Sequence, residues 1–251
     1  MEIIQGDCVE VMRGMPSNSV DMVLTSPPYD NLRNYKGYSF DFEATAQEIL
    51  RVLKRGCVCV WVVGDATIKG SETGTSFRQA LYFKEIGMNL HDTMIYLKDQ
   101  MAFPDTNRYY QAFEYMFVLS KGKPKTINLI ADKINKSFGR FVDKTGCRNP
   151  DGTLRKTKSG TGNPIKQKGI RWNYWLAYNQ QRGIGHPATF PLSLAKDHIL
   201  SWSNEGDTVL DPFLGSGTTL LAAQELGRNG IGIEISEEYC EIARKRLTTP
   251  L

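Results

Sequence analysis

The sequence predicts an α/β fold in which a mostly parallel, doubly wound sheet lies between two layers of helices. Two observations favour this three-layer architecture. Through the first 120 residues, short apolar runs alternate with helix-like stretches, which is typical of parallel strands joined by crossover helices. The alternation is lost in residues 121–185 and returns after them. A chain of 251 residues holds one such domain and a small inserted module, but not two large domains.

The first part of the chain contributes two predicted helices and five predicted strands. Both helices have apolar positions three and four residues apart, which indicates one buried face. They are expected at Phe42–Leu53 and Ser76–Ile86, and the hydroxyl of Ser76 is expected to cap the second. The predicted strands are the apolar runs Glu2–Gln5, Met22–Thr25, Cys57–Val63, Thr93–Leu97 and Tyr115–Leu119.

The last part of the chain repeats the alternation of helices and strands. Its predicted elements, in order, are a helix at Leu192–Trp202, a strand at Thr208–Asp211, a helix at Thr218–Leu226, a strand at Gly230–Glu234 and a helix that runs through Arg246.

The segment 121–185 differs from both flanks in composition. It is rich in Gly, Pro, Asn, Lys and Ser, which favours turns over regular structure. Between residues 132 and 185, twelve Lys and Arg stand against three Asp, whereas the whole chain has a net charge of only +4. This excess indicates a polyanionic partner, although an ordinary solvated surface would have the same composition. The aromatic cluster at residues 171–176 fits either a small core or stacking on bases.

The composition also disfavours several kinds of protein. The five cysteines are scattered without a CxxC pair and the three histidines are far apart, so neither a disulfide framework nor a metal site is expected. His91 and His198 are interpreted as surface or capping residues. The longest apolar run is too short to cross a membrane and no signal peptide is evident, so we expect a cytoplasmic protein.

Residues 208–219 predict a strand that ends in Asp211, a tight turn containing Gly215 and Gly217, and the start of a helix. The backbone N–H groups of such a turn face the negative group of a ligand. A second apolar strand ends in Glu234, at about the spacing from the turn where nucleotide-binding folds place an acid that accepts hydrogen bonds from ribose. Taken alone, the glycines would also fit a turn that binds nothing.

A second motif, Ser26-Pro27-Pro28-Tyr29, follows the strand that ends at Thr25. Two successive prolines fix φ and lack N–H donors, so the loop is stiff and its carbonyls can face a ligand. The Ser26 hydroxyl and the Pro27 carbonyl can accept hydrogen bonds from an exocyclic amine and favour its nucleophilic form. Taken alone, the motif would also fit a proline-stiffened turn without function.

Together the two motifs resemble those of the amino-group DNA methyltransferases, which methylate cytosine N4 or adenine N6. The resemblance implies a Rossmann-like domain that binds S-adenosylmethionine and a target base turned out of the duplex. It assigns catalysis to Ser26, Pro27, Pro28 and Tyr29, with Tyr29 stacking on the base. It assigns cofactor binding to Asp7, Cys8, Thr25, Phe190, Asp211, Pro212, Phe213, Gly215, Ser216, Gly217, Thr218, Glu234 and Ile235.

The order of the motifs resembles the circularly permuted β class of this family, because the catalytic motif precedes the cofactor turn. Residues 1–120 are then the catalytic half, residues 121–185 an inserted target-recognition region, and residues 186–251 the half that binds S-adenosylmethionine. Ser26 favours cytosine N4, since adenine N6 enzymes more often carry Asp or Asn at that position, and adenine N6 is the alternative. Methylation of cytosine C5 is disfavoured because no cysteine follows a proline.

Double-stranded DNA is the expected partner. A cognate restriction endonuclease would accompany a restriction–modification enzyme, whereas a solitary or phage-borne enzyme would have none. The sequence leaves open whether the chain is a monomer or a homodimer, and what Asp65 and His186 do. An idle DNA-binding relative and an RNA or small-molecule methyltransferase are the competing hypotheses. Contacts with DNA are expected from Lys156, Lys158, Lys166, Lys168, Arg171 and Arg182.

Overall fold

The computed structural model of the protein describes residues 1–28, 41–98, 106–141, 149–153, 163–177 and 191–248. The chain divides into two compact units. The first joins Met1–Asn128 to Asn173–Leu251, and the second is Leu129–Trp172.

The strands of the described residues were assigned in chain order. They are β1 (Glu2–Gln5), β2 (Val20–Thr25), β3 (Leu53–Val63), β4 (Thr67–Ile68), β5 (Ser71–Glu72), β6 (Asn89–Lys98), β7 (Phe113–Ser120), β8 (Lys133–Ile134), β9 (Lys168–Gly169), β10 (Tyr174–Ala177), β11 (Thr208–Asp211) and β12 (Asn229–Glu234). Eight of them form one sheet in the order β1-β12-β11-β2-β3-β7-β6-β10. β7 runs antiparallel to both of its neighbours, and every other adjacent pair in this sheet is parallel.

Helices cover both faces of the sheet. They are α1 (Cys8–Gly14), α2 (Phe42–Val52), α3 (Thr75–Glu85), α4 (Leu192–Trp202), α5 (Thr218–Glu225) and α6 (Glu237–Thr248). Successive side chains of a strand point to opposite faces, and β2 follows this rule. Val23 packs in a core with residues of α1, α2 and α3, while Met22 and Leu24 pack in a second core with residues of α4 and α5. No helix of the described residues has both the length and the apolar character needed to cross a bilayer.

All twelve predicted helices and strands are present, and their bounds differ from the predicted ones by a few residues at most. The prediction that Ser76 caps the second helix was wrong. Gly74 precedes α3, and Ser76 lies inside the first turn of the helix. The Ser76 N–H donates to Asp65 Oδ1 at 2.8 Å and its hydroxyl donates to Asp65 Oδ2 at 2.5 Å. Asp65, whose role the sequence left open, therefore anchors the start of α3.

Four elements of the first unit were not predicted from the sequence, namely α1, the short strands β4 and β5, and β10. Helix α1 has only seven residues, too few for a clear apolar period, and the carboxylate of Asp7 caps it by accepting from the N–H groups of Val9 and Glu10. Strand β10 lies in the segment predicted to be irregular, yet it pairs with β6 at the edge of the sheet. Its side chains alternate in burial, since Trp175 and Ala177 are buried while Tyr174 and Leu176 are exposed, but all four are apolar or aromatic, so the sequence carried no period-two signal.

The core also holds groups that the sequence placed at the surface. His198 was predicted to be a surface or capping residue, but it is completely buried in α4. Its ring lies 4.6 Å from the ring of Trp175, centroid to centroid, and its Nε2 is 3.1 Å from the sulfur of Met116. Burial lowers the pKa of His198 to about 3, so the ring is neutral at physiological pH.

An ammonium group ties the end of β7 to the C-terminal end of α2. The Lys121 Nζ donates to the carbonyls of Leu50 at 2.7 Å and Leu53 at 2.8 Å, and to Asn18 Oδ1 at 2.8 Å. A cation at this end of a helix satisfies carbonyls that lack partners within the helix. Burial lowers the pKa of Lys121, and the nearby Arg55 and Arg51 add to that effect.

Candidate active site at the carboxyl edge of the sheet

Five neighbouring parallel strands end at the same edge of the sheet. A polar residue stands at or just beyond the end of each strand, namely Asp7 after β1, Glu234 in β12, Asp211 in β11, Ser26 after β2 and Asp65 after β3. The chain winds in opposite directions from β11 and β2, because β11 connects to β12 on one side and β2 connects to β3 on the other. Open α/β sheets bind ligands in the crevice at such a switch point.

A buried carboxylate joins the two strands at the switch point. Asp211 accepts hydrogen bonds from the Thr25 hydroxyl at 2.6 Å, the Thr219 hydroxyl at 2.6 Å and the Phe213 N–H at 3.1 Å. Burial raises the pKa of Asp211 to about 6, and the three hydrogen bonds hold it below what burial alone would give. Thr25 and Asp211 lie 186 positions apart in the chain. Their contact brings the segment that leads into Ser-Pro-Pro-Tyr to the glycine turn.

Glu234 fixes the glycine turn from the next strand. Its carboxylate accepts from the N–H of Gly215 at 2.8 Å and from the N–H of Ser236 at 2.9 Å. Burial raises the pKa of Glu234, and these backbone hydrogen bonds oppose that shift. Gly217 has a φ of +85°, and a Cβ built there would lie 2.9 Å from the Cβ of Ala243. Both the backbone conformation and the close approach of α6 therefore require glycine at this position.

An arginine that the sequence analysis did not identify also holds the turn. Arg246 of α6 donates from one guanidinium nitrogen to the Ser216 carbonyl at 2.6 Å, to the Ser216 hydroxyl at 2.9 Å and to the Thr218 hydroxyl at 3.3 Å. Burial lowers the pKa of Arg246. A basic residue in the last turn of a helix is common, so the sequence carried no signal for this contact.

The structure places most of the predicted site residues along this edge. Ser26 and Pro28 are half-buried and Pro27 is buried, directly after the strand that contains Thr25. Tyr29 lies outside the described residues. The predicted cofactor residues Pro212, Gly215, Ser216, Gly217 and Thr218 are buried in the turn, while Phe213 is half-buried.

The remaining predicted cofactor residues differ in their surroundings. The Asp7 carboxylate caps α1. Cys8 is 4% exposed and its sulfur lies 3.7 Å from the Thr45 hydroxyl, so its side chain is part of the core. Ile235 is 45% exposed and stands next to Glu234, where it offers an apolar surface beside a carboxylate. Phe190 lies outside the described residues, as does His186.

The predicted DNA-binding residues that are described lie in the second unit. Lys166 and Lys168 are exposed. Arg171 forms an ion pair with Asp132 at 2.6 Å. Lys156, Lys158 and Arg182 lie outside the described residues.

The model of one protein family matches residues 20–245, which is nearly the whole chain, and its description is "DNA methylase" of the N6/N4 type. The chain belongs to this family. The predicted resemblance is therefore confirmed, and the protein is a DNA methyltransferase of the N6/N4 family.

Two relatives of this methyltransferase match it over most of both chains. It is 60% identical over 237 residues to the orphan methyltransferase M.BamHII of Bacillus amyloliquefaciens, in a match that covers 91% of this chain and 89% of the relative. It is 30% identical to the DNA adenine methyltransferase YhdJ of Escherichia coli K12, over 98% of this chain and 82% of the relative.

A solved structure confirms the predicted fold class. TTHA0409 from Thermus thermophilus, solved in complex with S-adenosyl-L-methionine, superposes with a TM-score of 0.65 and 26% sequence identity. The match covers 98% of this methyltransferase and 94% of TTHA0409. Circular permutation relative to other methyltransferases stays a prediction.

Proposed function

We propose that this methyltransferase transfers the methyl group of S-adenosylmethionine to the exocyclic N4 of cytosine in double-stranded DNA. The hydrogen bond between Thr25 and Asp211 is the observation that carries the proposal. It joins the strand that leads into Ser26-Pro27-Pro28 to the glycine turn at one edge of the sheet. An amine held by the first segment and a methyl group held beside the second would then be close enough to react.

The residues of this edge suit S-adenosylmethionine. Glu234 brings a half-buried carboxylate that can accept hydrogen bonds from ribose hydroxyls. Ile235 and Phe213 bring apolar surface on which an adenine ring can lie, and the methionine end is proposed to lie against the backbone of the glycine turn. When bound, the cofactor supplies a sulfonium methyl group as the electrophile. TTHA0409, which shares the fold, was solved with this cofactor.

The Ser-Pro-Pro loop prepares the amine. The nitrogen lone pair of cytosine N4 is delocalised into the ring, and hydrogen bonds from its N–H groups to the Ser26 hydroxyl and the Pro27 carbonyl favour a pyramidal nitrogen with a localised lone pair. Transfer is direct, so the protein mainly holds nitrogen, carbon and sulfur in line and no covalent enzyme intermediate forms. Tyr29 is proposed to stack on the base after it has turned out of the duplex.

Two bases are candidates for the reaction. Ser26 supports cytosine N4 through the resemblance described above, whereas the 30% identity to the DNA adenine methyltransferase YhdJ supports adenine N6. Digesting methylated DNA to nucleosides and analysing them by chromatography and mass spectrometry decides between them. We expect N4-methylcytosine, and N6-methyladenine as the sole product would replace the proposal by its alternative.

The catalytic assignment is tested by Ser26→Ala. We expect methyl transfer to fall by about 100- to 1000-fold, as when one donor or acceptor of a preorganised site is removed, while cofactor affinity measured by calorimetry stays near the wild-type value. Ser71→Ala, in the exposed β5 strand, is the matched control and should keep full activity. Cofactor binding by the wild type without methyl transfer to mixed-sequence DNA would favour the idle relative instead.

The biological setting is proposed from the relatives and the composition. M.BamHII is named an orphan methyltransferase, which supports a solitary modifier acting without a cognate restriction endonuclease. Residues 121–185 are proposed as the target-recognition region because of their positive charge. Duplex affinity that falls steeply with salt would support phosphate contacts. Weak, salt-insensitive duplex binding would favour an RNA or small-molecule substrate.

A further inference from the structure

A tryptophan in the core lies beside the residue that leads into the glycine turn. Trp61 of β3 is completely buried, in the core that also holds residues of α1, α2 and α3. The centroid of its indole is 6.3 Å from the ring centroid of Phe213, which follows Asp211 by two positions. The two rings are inclined at 76°, which is the edge-to-face arrangement that aromatic pairs prefer. Trp61 is therefore the inner neighbour of a predicted cofactor residue.

A hydrogen bond fixes the orientation of this indole. The Trp61 Nε1–H donates to the Oε1 of Gln79 at 2.8 Å. Gln79 lies in α3 and is only 5% exposed, so water does not compete for this hydrogen bond. Turning the ring away would leave a buried donor and a buried acceptor without each other, which is costly. The orientation of Trp61 is thus set by α3.

Two further aromatic contacts restrict the same ring. The indole centroid lies 5.9 Å from the ring centroid of Phe42, the first residue of α2, and 5.3 Å from that of Phe83 in α3. Phe42 and Phe83 also contact each other, with their ring centroids 5.6 Å apart. Protein interiors are close-packed, so an indole enclosed in this way cannot shift without moving the rings of both helices. Trp61 therefore presents a fixed surface to Phe213.

Phe213 connects this aromatic cluster to the carboxyl edge of the sheet. Its N–H donates to Asp211 Oδ1 at 3.1 Å, so its backbone is held by the carboxylate at the switch point. That hydrogen bond does not determine the side-chain rotamer, which depends on what the ring packs against. Phe213 is half-buried, with part of its ring against the core and part towards solvent. The contact with Trp61 thus restricts where the solvent-facing part of the ring can lie.

We propose that Trp61 is a positioning residue for the cofactor, which acts through the ring of Phe213, and that Gln79 acts through Trp61. The inference rests on the proposed function, in which Phe213 brings apolar surface to the adenine ring of S-adenosylmethionine. A binding surface that is already ordered gives higher affinity, because no side chain has to be immobilised when the ligand binds. Trp61 orders the Phe213 ring in advance. Cofactor affinity therefore depends on a buried residue that the cofactor does not touch.

The first test measures the Kd for S-adenosylmethionine by calorimetry in Trp61→Phe and in Gln79→Met, under conditions where circular dichroism shows the full-length protein folded. Trp61→Phe shortens the ring and removes its N–H, whereas Gln79→Met removes only the acceptor and nearly preserves the volume. We expect each substitution to raise the Kd by about 3- to 10-fold, as the loss of one aromatic pair would. Trp202→Phe is the control, because it alters a buried indole of α4 in the other core and should leave the Kd unchanged.

Two further measurements distinguish positioning from a general contribution to the core. If Gln79 acts through Trp61, adding Gln79→Met to Trp61→Phe should change the Kd by less than about 2-fold. In steady-state methyl transfer, the KM for S-adenosylmethionine should rise with the Kd, while kcat and the KM for DNA stay within about 2-fold of the wild type, because the contact is made equally before and during transfer. A residue that only stabilised the core would not produce this split between KM and kcat.

The outcomes separate the inference from the proposed function. A wild type that binds no S-adenosylmethionine would refute the proposed cofactor site itself. A wild type that binds the cofactor, together with an unchanged Kd in Gln79→Met and in Trp61→Phe, would refute the positioning role, and Gln79→Met alone decides this if Trp61→Phe does not fold. An equal rise of the Kd in Trp202→Phe would also refute it, since any loosening of the core would then have the same effect. Additive effects in the double variant would refute the link from Gln79 to Trp61.

Discussion

Removing one hydrogen-bond donor from Asp211 should destabilise the protein in a manner that depends on pH. Thr25→Val and Thr219→Val each remove a hydroxyl that donates to this carboxylate at 2.6 Å, and both threonines are completely buried. Valine preserves the shape of the side chain, so the lost hydrogen bond dominates. Where Asp211 is ionised, each substitution should lower the free energy of unfolding by about 1.5–3 kcal/mol, the usual range for a hydrogen bond to a charged group.

The sign of the pH dependence follows from the raised pKa. The pKa of Asp211 is about 6 in the folded protein against an ordinary value of 3.8. Between pH 4 and 6 the folded state therefore holds a proton that the unfolded state has lost, so this group lowers stability as pH rises, by about 3 kcal/mol in total. Losing a donor raises the folded pKa further. The penalty of either variant should thus be about 0.5–1.5 kcal/mol at pH 5, where the carboxyl is protonated, and larger at pH 8.

Urea unfolding at pH 5 and pH 8, followed by circular dichroism, measures both quantities. Thr67→Val, on the exposed β4 strand, is the control and should change stability little at either pH. Since Thr25 and Thr219 donate to the two oxygens of one carboxylate, the double variant should depart from additivity. Equal destabilisation at both pH values, or wild-type stability of Thr25→Val at pH 8, would show that Asp211 does not join the two halves in the way described.

Three further predictions concern the glycine turn and the C-terminal end of α2. In urea unfolding, Gly217→Ala should lower the free energy of unfolding by about 1–3 kcal/mol more than Gly206→Ala does. The two glycines have nearly the same φ, +85° and +83°, but only a Cβ at Gly217 would collide with a neighbouring helix. Arg246→Met should raise the Kd for S-adenosylmethionine, measured by calorimetry, by about 10-fold, or about 1.4 kcal/mol. The control is Lys245→Met at the neighbouring exposed residue, which should leave the Kd unchanged. Equal affinities of the two variants would mean that the Arg246 guanidinium does not position the turn. Lys121→Met should lower the free energy of unfolding by about 1.5–3 kcal/mol, because the carbonyls of Leu50 and Leu53 at the end of α2 lose their donor. A loss below about 0.5 kcal/mol would contradict the role of Lys121 in satisfying these carbonyls.

Much of the chemistry could be predicted from the sequence because it depends on short-range patterns. The apolar periods identified the strands and helices. The two motifs indicated their local backbone conformation, since successive prolines stiffen the loop after Thr25 and glycines permit the turn after Asp211. Glu234 lies at the distance along the chain from the glycine turn at which nucleotide-binding folds place an acid that binds ribose. None of these inferences required knowing which strands are neighbours.

Other features could not be predicted because they are contacts between distant segments. The burial of His198 depends on the strand that carries Trp175 pairing at the far edge of the sheet. The role of Arg246 depends on α6 packing beside the glycine turn. In both cases the residue type alone favoured an ordinary surface position, and the surrounding elements decided otherwise.

The sequence by itself therefore determined twelve of the eighteen elements of the described residues, their order and the two motifs of the site. The tertiary structure alone decided that β11 and β2 are adjacent, which lets Thr25 donate to a carboxylate 186 positions away. The physical reason is that periodicity and turn chemistry act over a few residues, whereas strand order is set by how the whole chain buries both faces of one sheet.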